Sequence, residues 1–527
     1  MAYMKGSTSR RIRRSLCKLL ILCLLLPSAA GATNVESALT LGIVSTKTTS
    51  LNPLQPVERD FASLFDICYD GLITINDDYM PEGDLVERWE ESNAGKTWTF
   101  HLREGVTFSN GQPLTAQDVV ATTQYILDMA NDETAENKGY YANLKYLVSS
   151  VKAIDEDTVQ IKASRGYYGL LYALTYPILP SGYAGTENPP GTGAYVITTF
   201  EPQDYVYLQS NSNWWQTPPQ VEEIMVICHQ SAKDLLSSYE YARVDTMFTR
   251  STAAAQYKSG TSAVSIDSRS RQLEVLFMNH NEQALKSENV RKAIRHAVNV
   301  DQIANQIYMG MVSRTHTPMI NGTWLYNANN ADYAYDVEKA KALLKEDGWA
   351  DLDDDGVLDR VVAGKEKPQR LHLRIYVYEE PDNDVRVETA NAIKDMLEDI
   401  GMSVTVTTMT FAETAEKLKA KSFDMVLCSV NMDPVPDPGF LLMRGNTMNY
   451  GSYNSKKMNE LFTSLRKQTS QSGFGQTLRE IQSVFAEDCP FLCLFYRNGA
   501  VLSRKMYTVA RDIRELELLR GIEDFGR

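Results

Sequence analysis

The chain has 527 residues, 43% of them hydrophobic and 23% charged, with a formal net charge of -14 at pH 7. That length exceeds what one hydrophobic core sustains, so two or three domains are expected. The acidic balance argues against a nucleic-acid partner, which would need a basic face, and it suits a soluble globular protein.

Arg10, Arg11, Arg13 and Arg14 form a basic patch, and Leu16 to Leu26 is apolar apart from Lys18. Ala30-Gly31-Ala32 then gives a small-x-small site. This is the order of a secretory signal peptide, with cleavage expected after Ala32. The apolar run is too short to span a bilayer comfortably. Cys23 follows Leu22, where a lipoprotein signal would place a small residue, which argues against a lipid anchor. Beyond the leader stand Cys68, Cys228, Cys428, Cys489 and Cys493, an odd and scattered set that makes no disulfide framework. Cys489 and Cys493 flank an apolar stretch and read as core thiols.

Leu39, Leu41 and Ile43 alternate with smaller or polar residues and predict a first strand over 37–45. A helix is expected from Phe61 to Tyr69. Trp98, Phe100 and Leu102 alternate with Thr99, His101 and Arg103 as a half-buried strand. Asn110-Gly111 marks a turn, and Thr115 with Asp118 forms a capping box for the helix that follows. Residues 151–161 read as a hairpin turning at Asp155-Glu156-Asp157. The glycine- and proline-rich stretch 181–193 reads as a domain crossover, with two strands after it.

The second half has another texture. Leu371, Leu373, Ile375 and Val377 make a strand, residues 385–400 a helix stopped by Gly401, and Val404 and Val406 the next strand. A helix over 412–420 and an apolar strand over 424–430 complete the pattern. Strand, helix, strand, helix, strand predicts an α/β lobe with a largely parallel sheet. Ligands of such sheets sit beyond the carboxyl ends of the strands, which directs attention to the segment after Val430.

Residues 95–119 contain the run Gly-Val-Thr-Phe-Ser-Asn-Gly-Gln-Pro-Leu-Thr-Ala-Gln-Asp-Val. Around it lie Leu51-Asn52-Pro53, Tyr69-Asp70-Gly71-Leu72, Leu85-Val86-Glu87-Arg88-Trp89 and Pro190-Gly191-Thr192-Gly193-Ala194-Tyr195. Later come Asn213-Trp214-Trp215, Val290-Arg291-Lys292-Ala293-Ile294, the helix 338–344 with Gly348-Trp349, and Phe423-Asp424-Met425. In number, order and spacing these motifs resemble the bacterial extracellular solute-binding proteins that serve oligopeptide, dipeptide and nickel importers. The resemblance implies an α/β, bilobed periplasmic-binding-protein fold with two hinged lobes and an extra domain inserted in the first. It implies a first lobe from residues 33–72, 188–275 and 492–527, an inserted domain over 73–187 and a second lobe over 276–491. It further implies an exported, monomeric binder without a required cofactor. Its partners would be a peptide or other small ligand and the membrane permease of an ABC importer.

Peptide-binding members of that family meet the ligand's ammonium with a second-lobe carboxylate in an Asp-x-x-Asp/Glu-Pro pattern. Here Asp437-Pro438 matches its end, and Asp433 stands one residue farther away than the pattern has it. Both aspartates can equally cap turns in a proline-rich loop. In the first lobe Glu58, Arg59 and Phe61 fall where the family edges its pocket, and an arginine could hold a ligand carboxylate bidentately. Asn446, Asn449 and Tyr450 fall where the family closes its cleft.

Asp351, Asp353, Asp355 and Asp359, with Gly356, place oxygens and glycine as a calcium loop does, although Val362 stands where the bidentate glutamate belongs. Such a turn either holds a structural calcium or is simply solvated. Three rivals remain open. A secreted hydrolase lacks the Gly-x-Ser-x-Gly and His-Glu-x-x-His signatures here. A metal- or haem-binding relative could use His280, His296 or His316. A peptide-sensing receptor would share the same sequence features as an importer subunit.

Overall fold

Alternation at Leu39, Leu41 and Ile43 becomes the strand Ala38–Val44, with all three side chains buried. The computed structural model describes residues 38–134, 137–257, 264–329, 334–380, 383–504 and 512–522, so the leader and Cys23 lie outside the described residues. The first strand is the centre of a seven-stranded sheet. Thr246–Thr249, Gly499–Ser503 and Val264–Ser268 extend it on one side, and Glu223–His229, Tyr205–Ser210 and Tyr195–Glu201 on the other.

The glycines of Pro190–Tyr195 have a packing reason. A Cβ on Gly191 would lie 2.0 Å from the Cys68 carbonyl oxygen, and one on Gly193 would lie 2.6 Å from the Cys68 carbonyl carbon. This segment therefore presses against the backbone at the end of the helix Arg59–Asp66. The Gly193 N–H donates to the Cys68 carbonyl at 3.1 Å, and the Asp70 N–H donates to the Thr192 hydroxyl at 3.3 Å. The motif returns the chain from the inserted domain to the first lobe.

The inserted domain is an antiparallel sheet ordered Val86–Ser92, Thr97–Leu102, Thr158–Ala163, Val148–Ala153. Trp98, Phe100 and Leu102 face its core, beneath the helix Ala116–Asn131. The capping box forms: the Thr115 N–H and hydroxyl donate to the Asp118 carboxylate at 2.8 and 2.7 Å.

In the second lobe the predicted strand–helix pattern is realised as His372–Tyr378, Val385–Glu398, Ser403–Met409, Phe411–Ala420 and Met425–Asn431. Gly401 takes φ +87°, the left-handed stop that ends the first of these helices. The three strands pair in parallel, with Met425–Asn431 and Ser403–Met409 on either side of His372–Tyr378. The whole sheet is mixed, not largely parallel. Gln272–Met278, Phe491–Arg497 and Val312–Arg314 add three antiparallel pairings. Those strands arrive from distant parts of the sequence, so the local pattern of residues 371–430 holds no trace of their direction.

The chain passes between the two large sheets twice. It leaves the first after Ser268 and enters the second at Gln272; it returns between Arg497 and Gly499. All five described cysteines are buried free thiols. Among the described residues no helix is long and apolar enough to cross a membrane.

Candidate functional site

Strand Met425–Asn431 delivers the chain from the second-lobe sheet into the loop 432–438, which meets the inserted domain. Asp433 Oδ1 accepts the Val435 N–H at 2.9 Å, and Oδ2 accepts the Asn143 side-chain amide at 3.3 Å. Burial raises the Asp433 carboxyl above its ordinary pKa, against the pull of the Val435 hydrogen bond and of the Arg271 charge. Among the described residues, no lysine or arginine nitrogen lies within 4.0 Å of this carboxylate. A half-buried carboxylate without a cation favours a cation arriving from outside.

Asp437 has its charge met inside the fold. Arg466 reaches it with Nε at 2.7 Å and Nη2 at 3.3 Å, and its Oδ1 accepts the Gly439 N–H at 2.9 Å. The Tyr167 hydroxyl of the inserted domain adds a bond of 3.4 Å. Beside it Tyr167, Tyr168 and Tyr172 pack on Phe474, and Tyr168 on Trp324, with centroid separations of 5.5 to 6.5 Å. The inserted domain is thus seated on the second lobe through an aromatic contact. Of the two aspartates, Asp433 is the one with no lysine or arginine nitrogen within 4.0 Å among the described residues. Asn143, its neighbour from a 3-10 turn, carried no sequence signal, because only the tertiary fold brings it there.

The three first-lobe candidates have internal partners. Glu58 accepts the backbone N–H groups of Thr46, Lys47 and Thr48 at 2.7 to 3.1 Å, and the Ser45 hydroxyl at 2.9 Å. Burial pushes its pKa up, but these hydrogen bonds outweigh it and bring the carboxyl down to about 2. Arg59 bonds Glu515 at 2.6 Å. Phe61 is fully buried between Phe65 and Phe200, with centroids 5.8 and 5.6 Å away. Glu58 therefore reads as the clamp of the loop 45–48. Its depressed pKa contributes stability that is present above pH 4.5 and lost as pH falls towards 2. Glu58→Gln is expected to cost about 1–2 kcal/mol at pH 7, allowing for partial exposure, and to flatten the acid limb of the stability curve. Denaturant melts from pH 7 to pH 2.5 check this; an unchanged acid limb would refute it.

Near the cleft-closing segment, the Asn446 amide donates to the Gly439 carbonyl at 2.6 Å. Asn449 is buried and bonded to Met443 and Tyr453 backbone groups at 2.7 to 3.2 Å. Tyr450 is half-buried, its ring 5.5 Å from that of Phe277. The asparagines shape the loop, and Tyr450 is the member of the trio whose polar end is uncommitted among the described residues.

In the acidic turn, Asp351, Asp353 and Asp355 each offer one oxygen, all within 4.8 Å of one another. Asp359 is buried and outside that group. Asp351 accepts the Asp355 and Gly356 N–H groups at 3.2 and 2.9 Å, and Arg370 pairs with Asp355 at 2.6 Å. Arg370 thus pairs with one of the three carboxylates, and three carboxylate oxygens alone are fewer than the six to eight ligands calcium takes. The histidines do not converge either. The His280 ring bonds the Pro490 carbonyl at 2.9 Å and the His296 ring the Ala334 carbonyl at 2.8 Å. Burial, with Arg291 and Arg314 nearby, holds His280 and His316 down to about 4, so both are neutral at pH 7.

With two sheets, two crossings and an inserted domain in place, comparison with known proteins is informative. A model of the bacterial extracellular solute-binding proteins, family 5, matches residues 80–452. The chain belongs to this family. The dipeptide-binding protein of Escherichia coli (strain K12) is 25% identical over 442 residues, 78% of this chain and 80% of that protein. The oligopeptide-binding protein AppA of Bacillus subtilis is 20% identical over 93% of this chain and 92% of its own length. Its structure with a nonapeptide matches at a TM-score of 0.66, covering 93% of this chain and 99% of that one. NikA of Brucella suis, solved with Fe(III)-EDTA, gives 0.76 at 20% identity, covering 93% and 99%. The family 5 fold is the bilobed α/β architecture described above. Its members are solute-binding proteins, and these relatives differ in what their names say they bind.

Proposed function

We propose that the protein captures short peptides outside the cytoplasmic membrane and delivers them, as a monomer, to the membrane permease of an ABC importer. It binds its ligand and does no chemistry on it. The observation that carries this reading is Asp433: a half-buried carboxylate, raised by burial, with one oxygen on Val435 and the other on Asn143, and among the described residues no lysine or arginine nitrogen within 4.0 Å. An ammonium entering that place gains a charge-assisted hydrogen bond that enclosure strengthens. Two lobes joined by two crossings can close over such a ligand, and the permease would read the closed form. Family membership supports the capture role, and the dipeptide- and oligopeptide-binding relatives support the ligand class.

Native mass spectrometry of the exported protein tests the ligand. The expected result is a set of co-purified masses that fragment as short peptides, with titration calorimetry showing 1:1 binding of peptides carrying a free amino terminus. A retained nickel chelate, haem or sugar, with no peptide bound on titration, would overturn the assignment.

A further inference from the structure

The hairpin of Ile73–Ile75 and Pro81–Gly83 opens the inserted domain, and its tip is gripped from two sides. On one side stands the C-terminal segment 512–522. Its Ile513 and Leu518 pack with Phe248 and Val501 of the seven-stranded sheet, and its Glu515 bonds Arg59. From this base Arg514 and Arg520 each donate to the Ile75 carbonyl at 2.9 Å, and Arg514 also bonds the Asn76 carbonyl. The Arg514 guanidinium lies 4.3 Å from the centre of the Tyr79 ring. Charge-assisted bonds from two arginines make this a firm hold on the first lobe.

On the other side the hold is Trp324. Its segment belongs to the second lobe: the buried Gln482 of helix Gln471–Asp488 accepts the Asn327 N–H at 2.9 Å and donates to the Leu325 carbonyl at 2.8 Å. The Trp324 indole N–H donates to the Tyr79 carbonyl at 2.9 Å and to the Tyr172 hydroxyl at 3.2 Å. That hydroxyl donates to the same Tyr79 carbonyl at 2.8 Å. The main-chain N–H of Trp324 adds the Asp78 carbonyl at 3.4 Å, and the Tyr168 N–H donates to the Gln468 carbonyl at 2.6 Å. The indole also rests on Gly475 of the helix, where a Cβ would lie 2.5 Å from Cζ3 of the ring. A glycine here weakens the helix relative to alanine, and the seat it makes for the indole is the reason it is tolerated. Tyr79 itself stands at φ +65°, a conformation unfavourable for a side chain of its size, and the contacts on its carbonyl and ring hold it there.

We infer that Trp324 and Tyr79 form a latch that holds the second lobe closed on the inserted domain without help from a ligand, so that a ligand meets a site already assembled. Every group in the latch belongs to the chain. The two holds on the hairpin are unequal: charged donors on the first-lobe side, and only neutral N–H groups and ring contacts on the second-lobe side. Opening therefore releases Trp324 and leaves Arg514 and Arg520 in place. Neutral hydrogen bonds and aromatic pairs are strong enough to bias a two-state balance and too weak to lock it. Apparent affinity scales with the closed fraction, so the latch raises it without touching the ligand.

Small-angle X-ray scattering of the full exported chain, freed of retained solute, tests this. Trp324→Ala is expected to raise the radius of gyration by about 1 Å, on the roughly 23 Å of a compact chain this long. Gly475→Ala should do the same by unseating the indole, and because alanine favours the helix it carries the test if Trp324→Ala fails to fold. Trp324→Phe, which keeps a ring and loses the indole N–H, should fall between. Melting temperatures certify that the variants fold. With alanyl dipeptides, Trp324→Ala and Gly475→Ala should bind about 3- to 30-fold more weakly than the wild type. Folded variants with the wild-type radius would overturn the latch. Failure of every peptide to bind would strike the ligand assignment alone, because the radii without ligand decide the latch.

Discussion

Replacing Arg386 with methionine is expected to destabilise the protein by about 3–5 kcal/mol, the cost of taking the bidentate partner from a buried carboxylate. The side chains of Arg386 and Glu274 are 0% and 1% exposed. The pair is bidentate, with Nη2 on Oε1 at 2.5 Å and Nε on Oε2 at 3.2 Å. Arg386 also bonds Glu380 at 2.6 Å and lies 4.1 Å over the Tyr378 ring, while Ser429 joins both Arg386 and Glu274. Arg497 closes the network, 2.9 Å from Glu380. Burial pushes the Glu274 pKa up, but the Arg386 charge and hydrogen bonds hold it below the usual value. Removing Arg386 leaves burial at Glu274 opposed only by Arg497, 3.8 Å away, and by the Ser429 hydroxyl, which favours uptake of a proton there. The double variant Glu274→Leu with Arg386→Met should lose much less, because no lone charge remains and Glu380 still has Arg497. Denaturant unfolding of the wild type, both singles and the double measures this. A single variant within about 1 kcal/mol of wild type would show that the network contributes little.

The same network shows what a sequence reading can reach. Short-range patterns were legible: the strand at Leu39–Ile43, the Thr115–Asp118 box and the Gly401 stop all follow from period and local hydrogen bonding. The fold class was legible too, because motifs such as Pro190–Tyr195 are fixed by backbone contacts that tolerate few residues. The mixed sheet was not, since Gln272–Met278 pairs with Met425–Asn431 and Phe491–Arg497, strands far away in the sequence. Nor could charges be sorted by sequence. Glu58, Arg59, Asp437 and Asp433 look alike as surface residues in loops. They differ in what meets the charge: the loop 45–48 for Glu58, Glu515 for Arg59, Arg466 for Asp437, and for Asp433 no lysine or arginine nitrogen within 4.0 Å among the described residues. A pocket's chemistry lies in that residue of unmatched charge, which the tertiary structure decides.

Asp433→Asn is expected to weaken peptide capture by about 30- to 1,000-fold while leaving the ligand-free protein as stable as before, or more so. The two effects have one cause. Raised by burial, the Asp433 carboxylate is held in the fold at a cost, which the neutral amide removes and the bound ammonium otherwise offsets. The sign runs opposite to that of Glu58. With its folded pKa raised, Asp433 favours the folded state as pH falls through that pKa, because the neutral acid is easier to bury. Ligand affinity moves the other way, declining as the carboxyl is protonated, and it should begin to decline at a higher pH than an unperturbed aspartate would give. Asp437→Asn is the control. It removes half of the Arg466 pair, so it should lower the melting temperature and change affinity only through the loop. Calorimetric titration with alanyl dipeptides from pH 7.5 to pH 4, alongside melting curves, separates the two residues. If Asp433→Asn kept wild-type affinity across that range, the ammonium would have to be met elsewhere. If it lost stability as Asp437→Asn does, Asp433 would be a turn-capping residue, held for the loop and not for a ligand.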